Sequence, residues 1–241
     1  MPSFIDKTIR LAGLCAAVAV ALGLSACGSV QSVPVRDNDS AAFAVRATVR
    51  SSAWTGGERE GPGIGVGYEG YSAKDTQNLA AGESIQLDGG AIFGPDTLRH
   101  KADMRQGYLT YNHLFRLGSH FQLEPFVGAT RVHLKIRSTS ADGTTRAVLD
   151  DWDTGVIGGV TPRWRFNDWV AIEARLSYFN VSAWAHGQSY EAAVVLSPVP
   201  NASLRLGYSE RRYDIEDNIP GWFSEVNVRA RGPMATLQFD F

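Results

Sequence analysis

The chain is poor in several features that usually define a function. It has two cysteines in 241 residues. Cys15 falls inside an N-terminal apolar run, so removal of that run leaves Cys27 alone and no disulfide framework is possible. His100, His113 and His120 stand at no metal-ligand spacing from one another or from a cysteine, so neither a metal nor a cofactor is expected. The formal net charge is −2, which gives no basic excess for nucleic acid. No run of 18 apolar residues follows Cys27, so no helical membrane span is expected. Gly63, Gly65 and Gly67 do not precede a helical pattern, so they do not form a phosphate-cradling loop.

What the chain does have is alternation. At its end, Ala235, Leu237, Phe239 and Phe241 share one parity, and Thr236, Gln238 and Asp240 share the other. A strand of this kind suits lipid on one side and a polar lumen on the other. The pattern recurs at about 42–54, 62–72, 102–116, 120–137, 150–166, 169–180, 189–197 and 204–211. Residues 83–93 fit either a strand or part of a long loop. In the last segment the apolar parity changes between Val226, Val228, Ala230 and Ala235, which predicts a bulge at Gly232-Pro233. The fold expected is all-β: an antiparallel transmembrane up-and-down barrel of about eight to ten strands, an even count as bacterial barrels have, with ten slightly favoured.

The polar parities define an expected lumen network: Arg46, Arg50, Glu69, Arg131, His133, Lys135, Arg163, Arg165, Glu173, Arg175, Glu191, Arg205, Arg211 and Asp240. Charges confined in a lumen must be paired or hydrated. The short turns at 117–119, 167–168 and 198–201 are expected on the periplasmic side, and the longer links at 138–149, 181–187 and 214–224 outside. Trp54, Trp152, Trp164, Trp169, Tyr178 and Tyr208 fall near strand ends, as interfacial aromatics do.

The N-terminus reads as a targeting segment. Lys7 and Arg10 precede the apolar residues 11–23, and Leu24-Ser25-Ala26-Cys27 follows. The tetrapeptide resembles the bacterial lipobox, which implies a signal peptide at 1–26 and lipidation of Cys27. Gly28 after the cysteine implies export to the outer membrane. Residues 27–41 read as a flexible tether on the periplasmic side, and residues 42–241 as the barrel.

Leu123-Glu-Pro-Phe-Val-Gly-Ala129, Leu204-Arg-Leu-Gly-Tyr208 and Arg231-Gly-Pro233 resemble segments of the small bacterial outer-membrane barrel families. The resemblance implies that the assembly machinery reads Leu237, Phe239 and Phe241. It also implies outer-membrane lipids and lipopolysaccharide as surroundings, a monomer, and no nucleic-acid partner. The function expected is a lipid-anchored barrel with a structural, envelope or surface-interaction role. The alternatives are a narrow anion-preferring pore and an outer-rim enzyme acting on lipid A or peptides. Enzyme candidates are His186 with Ser189, and Asp150, Asp151 and Asp153. No catalytic residue is assigned, since His186 and Ser189 are three apart on a strand and face opposite sides. Asp214, Glu216 and Asp217 read as a solvated loop before a cation site.

Overall fold

The computed structural model describes residues 29–50, 60–181, 185–199, 201–215 and 225–241. The signal segment, Cys27, Trp54, Glu216 and Asp217 lie outside these residues. Thirteen strands form among the described residues, with no helix. In chain order they are β1 (Ser29–Val30), β2 (Val33–Asp37), β3 (Ala42–Arg50), β4 (Gly61–Leu79), β5 (Glu83–Leu87), β6 (Gly90–Phe93) and β7 (Asp96–Leu117). They continue as β8 (Phe121–Thr139), β9 (Arg146–Arg165), β10 (Val170–Asn180), β11 (Ala185–Val199), β12 (Ala202–Ile215) and β13 (Val226–Asp240).

Nine of these strands close a ring. β3, β4 and β7 to β13 pair antiparallel in succession, and β13 returns to β3. The count is odd because residues 83–93 add no wall strand. They form the small β5–β6 hairpin, and β4 pairs directly with β7 over its whole length, from Gly61↔Leu114 to Leu79↔Asp96. Both β13 and β3 run toward the short-turn end, so their seam is parallel, from Met234↔Ala42 to Asp240↔Thr48. The even count expected from sequence is therefore corrected to nine. The chain end belongs to this seam. Phe241 N–H donates to the Thr48 carbonyl at 2.8 Å, and Arg50 N–H donates to the Phe241 carbonyl at 2.8 Å.

The expected bulge at Gly232-Pro233 does not form. β13 pairs with β12 without a register break, from Ala202↔Phe239 to Ile215↔Val226. The extra residue lies instead in the neighbouring segment, between β2 and β3. β2 pairs parallel with β13 at Val33↔Val226, whereas β3 pairs at Ala42↔Met234, one residue out of step. The insertion sits at 38–41, where Ser40 N–H donates to the Arg231 carbonyl at 2.9 Å. Gly232 makes room for it, since a Cβ there would lie 2.2 Å from the Ser40 carbonyl oxygen. The same pairing revises the tether. Val33 and Val35 are fully buried, so residues 33–37 belong to the folded body.

The parity change in β13 has a different cause. Val226, Val228 and Ala230 face the barrel interior, and so do Thr236 and Gln238 further down. Pro233, Ala235, Leu237 and Phe239 face outward, as do Asn227, Arg229 and Arg231 above them. The strand is regular, and it is the polarity of the two sides that exchanges. β8 does the same: Leu123, Pro125, Val127 and Ala129 face outward, while Val132, Leu134 and Ile136 face inward. β7 matches, with Leu109, Tyr111 and Phe115 outside and Leu98, Ala102 and Met104 inside. The half near the short turns is apolar outside and polar inside. The half near the long loops is polar outside and apolar inside.

Candidate functional site

In the short-turn half, the inward parities of β3, β4, β10, β11 and β12 bring Arg46, Glu69, Glu173, Glu191, Arg205 and Arg211 to one level. Glycine makes the space. Gly67 faces inward, where a Cβ would lie 2.2 Å from the Tyr108 ring, so the phenol crosses above the glycine. Arg46 donates from Nε to the Tyr108 hydroxyl at 2.7 Å and from Nη2 to Glu191 at 2.8 and 3.0 Å. Arg211 donates to Glu69 and, at 3.0 Å, to Glu191. Arg205, only 1% exposed, donates to Glu173, which also accepts from Arg163 Nε at 2.7 Å. Three carboxylates thus bridge four guanidinium groups.

Arg175 joins differently, with its guanidinium 3.8 Å above the Phe126 ring. That placement engages a half-buried cation through the π-face. Burying charge without water is costly, and pairing of this density is what offsets it. The remaining central cavity, lined by Arg46, Tyr108, Glu173, Arg175 and Arg205 among others, measures about 30 Å³, little more than one water molecule needs. Below it, a vestibule of about 610 Å³ opens among the short turns. Arg50, paired with Glu124 at 2.7 Å, Arg165, paired with Asp168 at 2.9 Å, and Asp240 line it.

Toward the long loops the interior is largely apolar. Leu98, Ile136, Val33 and Val35 are fully buried there, and the β5–β6 hairpin adds Ile85, Leu87 and Ile92 to the same cluster. The hairpin is held to the wall by Gly89 N–H, which donates to the Val148 carbonyl at 2.7 Å. It also receives β1 as a parallel neighbour, Ser29↔Glu83 and Val30↔Ser84. Each fully buried Leu or Ile contributes about 1.5–3 kcal/mol, so the hairpin is a packed lid on the interior.

Of the residues assigned to the lumen from sequence, Arg46, Arg50, Glu69, Arg163, Arg165, Glu173, Arg175, Glu191, Arg205, Arg211 and Asp240 lie on inward parities. Arg131, His133 and Lys135 do not. They face outward on β8, because the inward positions at that height are taken by Val132, Leu134 and Ile136. His133 stacks on Trp152 with ring centroids 4.2 Å apart and bonds Asp150 at 2.7 Å; Lys135 also reaches Asp150. The phase reversal within β8, at Ala129 to Val132, was the available signal. Tyr108 and Glu124, absent from the sequence-based set, belong to the interior because they share parity with Gln106 and Phe126.

The residues considered for catalysis do not converge. His186 faces outward on β11, 3.9 Å from Asp214, and Ser189 is buried on the inward face of the same strand. Asp150 is on the outer wall with His133 and Lys135, whereas Asp151 and Asp153 have the opposite parity. Among the described residues no group of three His, Cys, Asp or Glu side chains is arranged to hold a metal ion. Comparison with known proteins found no matching family model, no matching curated protein and no matching solved structure.

Proposed function

We propose that the chain is a sealed outer-membrane barrel, anchored by a lipid on Cys27, with a structural or surface-interaction role in the envelope. The observation that carries this reading is the inverted half: Ile64, Val127, Val156 and Ile172 are exposed around the outside while a buried ion-pair network fills the inside. Water outside and ions inside would be the worst arrangement for a soluble domain. Lipid outside makes it favourable. The dimensions agree. Trp152 and Trp164 bracket the apolar outer positions of β9, twelve residues apart. That is about 40 Å along a strand, or about 28 Å along the axis at a tilt of about 45°. Tyr178 and Tyr190 lie near the upper limit, and Phe166, Trp169, Phe239 and Phe241 near the lower.

The terminal residues Leu237, Phe239 and Phe241 lie on the outward parity of the seam strand, where an assembly machinery for such barrels could read them. The small central cavity favours a closed interior over a pore. The anchor belongs on the long-loop side. Ser29–Val30 pairs there with β5, and two residues span at most about 7 Å. The fifteen residues of β13 separate that level from Phe241 by about 50 Å along the strand. A short-turn-side anchor is thus out of reach of the folded chain, and the lipid would enter the outer leaflet.

Heat-modifiable migration tests the barrel. The folded protein should run faster than the boiled protein and fractionate with outer membrane; a periplasmic protein with no shift would refute the reading. Palmitate labelling should disappear in Cys27→Ser. A tag placed directly after Cys27 should be accessible on intact cells; a tag accessible only after permeabilisation would place the anchor on the inner side.

A further inference from the structure

We infer that the outer face of β4, β7 and β8, just beyond the apolar belt, binds the phosphate groups of a glycolipid headgroup. The inference rests on the membrane reading above. Lys74 lies directly across from Lys101, and Lys101 directly across from Arg137, so three cations stand in one row over three strands. Like charges directly opposite one another destabilise a sheet. Nothing in the fold requires this row, since the positions face outward.

Neighbouring carboxylates neutralise it only in part. Asp103 pairs with Lys101 at 2.9 Å, and Asp150 pairs with Lys135 and His133. Among the described residues the side chains of Lys74, Arg99, Arg105 and Arg137 form no ion pair with a carboxylate within 4 Å, although Asp37 Oδ2 accepts from the Lys74 backbone N–H at 2.9 Å. Arg137 Nε is shielded from water and has no hydrogen-bond acceptor. Lys74, Arg99, Lys101 and Arg137, with the hydroxyl-bearing Thr76 and Thr139, line an open depression of about 660 Å³; Asp75 and His100 complete its lining. Four cations outnumber the carboxylates of Asp75 and Asp103 beside them, and with hydroxyl donors between them they suit a phosphate's acceptor oxygens.

The opposite side of the barrel is built otherwise. There Glu210 holds Arg212, Arg229 and Arg231 at 2.8–2.9 Å. The cluster's height is also specific. From Tyr68, at the top of the apolar positions of β4, Lys74 is six residues further. This is about 20 Å along the strand and about 14 Å along the axis, beyond the hydrocarbon and in the headgroup layer.

The test uses the full-length protein refolded in detergent, with three probes: bisphosphorylated lipid A, the same lipid dephosphorylated, and the acyl-free bisphosphorylated disaccharide. Binding is read by native mass spectrometry and by titration. The parent should bind bisphosphorylated lipid A about tenfold or more tightly than the variant Lys74→Gln/Lys101→Gln/Arg137→Gln, while Arg212→Gln on the opposite side should match the parent. Dephosphorylated lipid should bind parent and triple variant alike. The triple variant should be at least as stable as the parent without lipid, because it removes repulsion; a purely structural cluster would lose stability. Equal binding of bisphosphorylated lipid by parent and triple variant would overturn the inference, as would inorganic phosphate competing at equal affinity. If the barrel fails the heat-modifiability test yet binds the acyl-free disaccharide through these three residues, the phosphate site stands and the membrane reading falls.

Discussion

The two halves of this barrel solve the burial problem in opposite ways. Near the short turns, Glu69, Glu173 and Glu191 tie four arginines into the interior and aliphatic side chains face outward. Near the long loops, Ile85, Leu98, Ile136 and Val226 pack inside and Lys74, Arg105, Lys135 and Arg229 face out. The same strands run through both halves with unbroken alternation. What differs is the side that carries the apolar side chains, outward in one half and inward in the other; under the proposed membrane reading each placement keeps them from water. The β5–β6 lid belongs to the second half, because a half that is polar outside needs its own apolar core.

That contrast can be broken from either side. The largest effect is expected in the ion-pair interior. Glu191→Ala leaves Arg46 and Arg211 short of a partner and should destabilise by about 3–5 kcal/mol, read as a lowered unfolding midpoint in detergent or bilayer. An unchanged midpoint would mean that water hydrates that level after all. In the loop half the corresponding lesion is apolar. Leu87→Ala opens a void beneath the lid and should cost about 2–5 kcal/mol, with increased amide exchange in β5 and β6.

A sharper comparison uses one strand and one face. Leu206 and Arg212 both point outward on β12. Leu206→Arg should cost about 2–4 kcal/mol because it puts a cation into lipid. Arg212→Leu, higher on the same face, should cost less than about 1 kcal/mol, since only an exposed pair with Glu210 is lost. Similar small effects at both positions would remove the membrane from the argument.

The smallest expected effect lies in the turn between β8 and β9. Asp142 accepts from the Ser140 hydroxyl at 2.6 Å and from the Thr144 hydroxyl and N–H at 2.7 and 3.0 Å. These bonds, that of Ser140 foremost, hold its carboxyl down at about 2. A depressed folded value means that the turn gains stability above the unfolded value near 4 and loses it as pH falls toward 2. Amide exchange at Thr144 and Thr145 should quicken over that window, and Asp142→Asn should flatten the dependence.

Period-2 alternation made the fold class and most wall strands legible, and eleven of the fourteen charges assigned inward lie on inward parities. The three that do not, Arg131, His133 and Lys135, show what alternation leaves open. It separates two faces of a strand without saying which is the inside. A single rule, polar side inward, holds only in the half near the short turns. The phase reversals at Ala129 to Val132 and at Ala230 to Pro233 carried the missing information, and each alone resembles a bulge. Their recurrence at comparable height on β7, β8 and β13 is the pattern that the proposed membrane reading explains as a change of medium.

The sequence by itself determined local geometry. Strands, tight turns and the pairing of each strand with its neighbour follow from short-range pattern and turn length. Only the tertiary structure decided the ring of nine, the parallel β13–β3 seam and the inward fold of residues 83–93. These depend on contacts far apart in the chain, and the same amphipathic segments are compatible with eight, nine or ten strands until the last edge finds its partner. The burial of Val33 and Val35 against β13 belongs with them. Five residues too short to declare a strand in isolation become one because a long edge is waiting beside them.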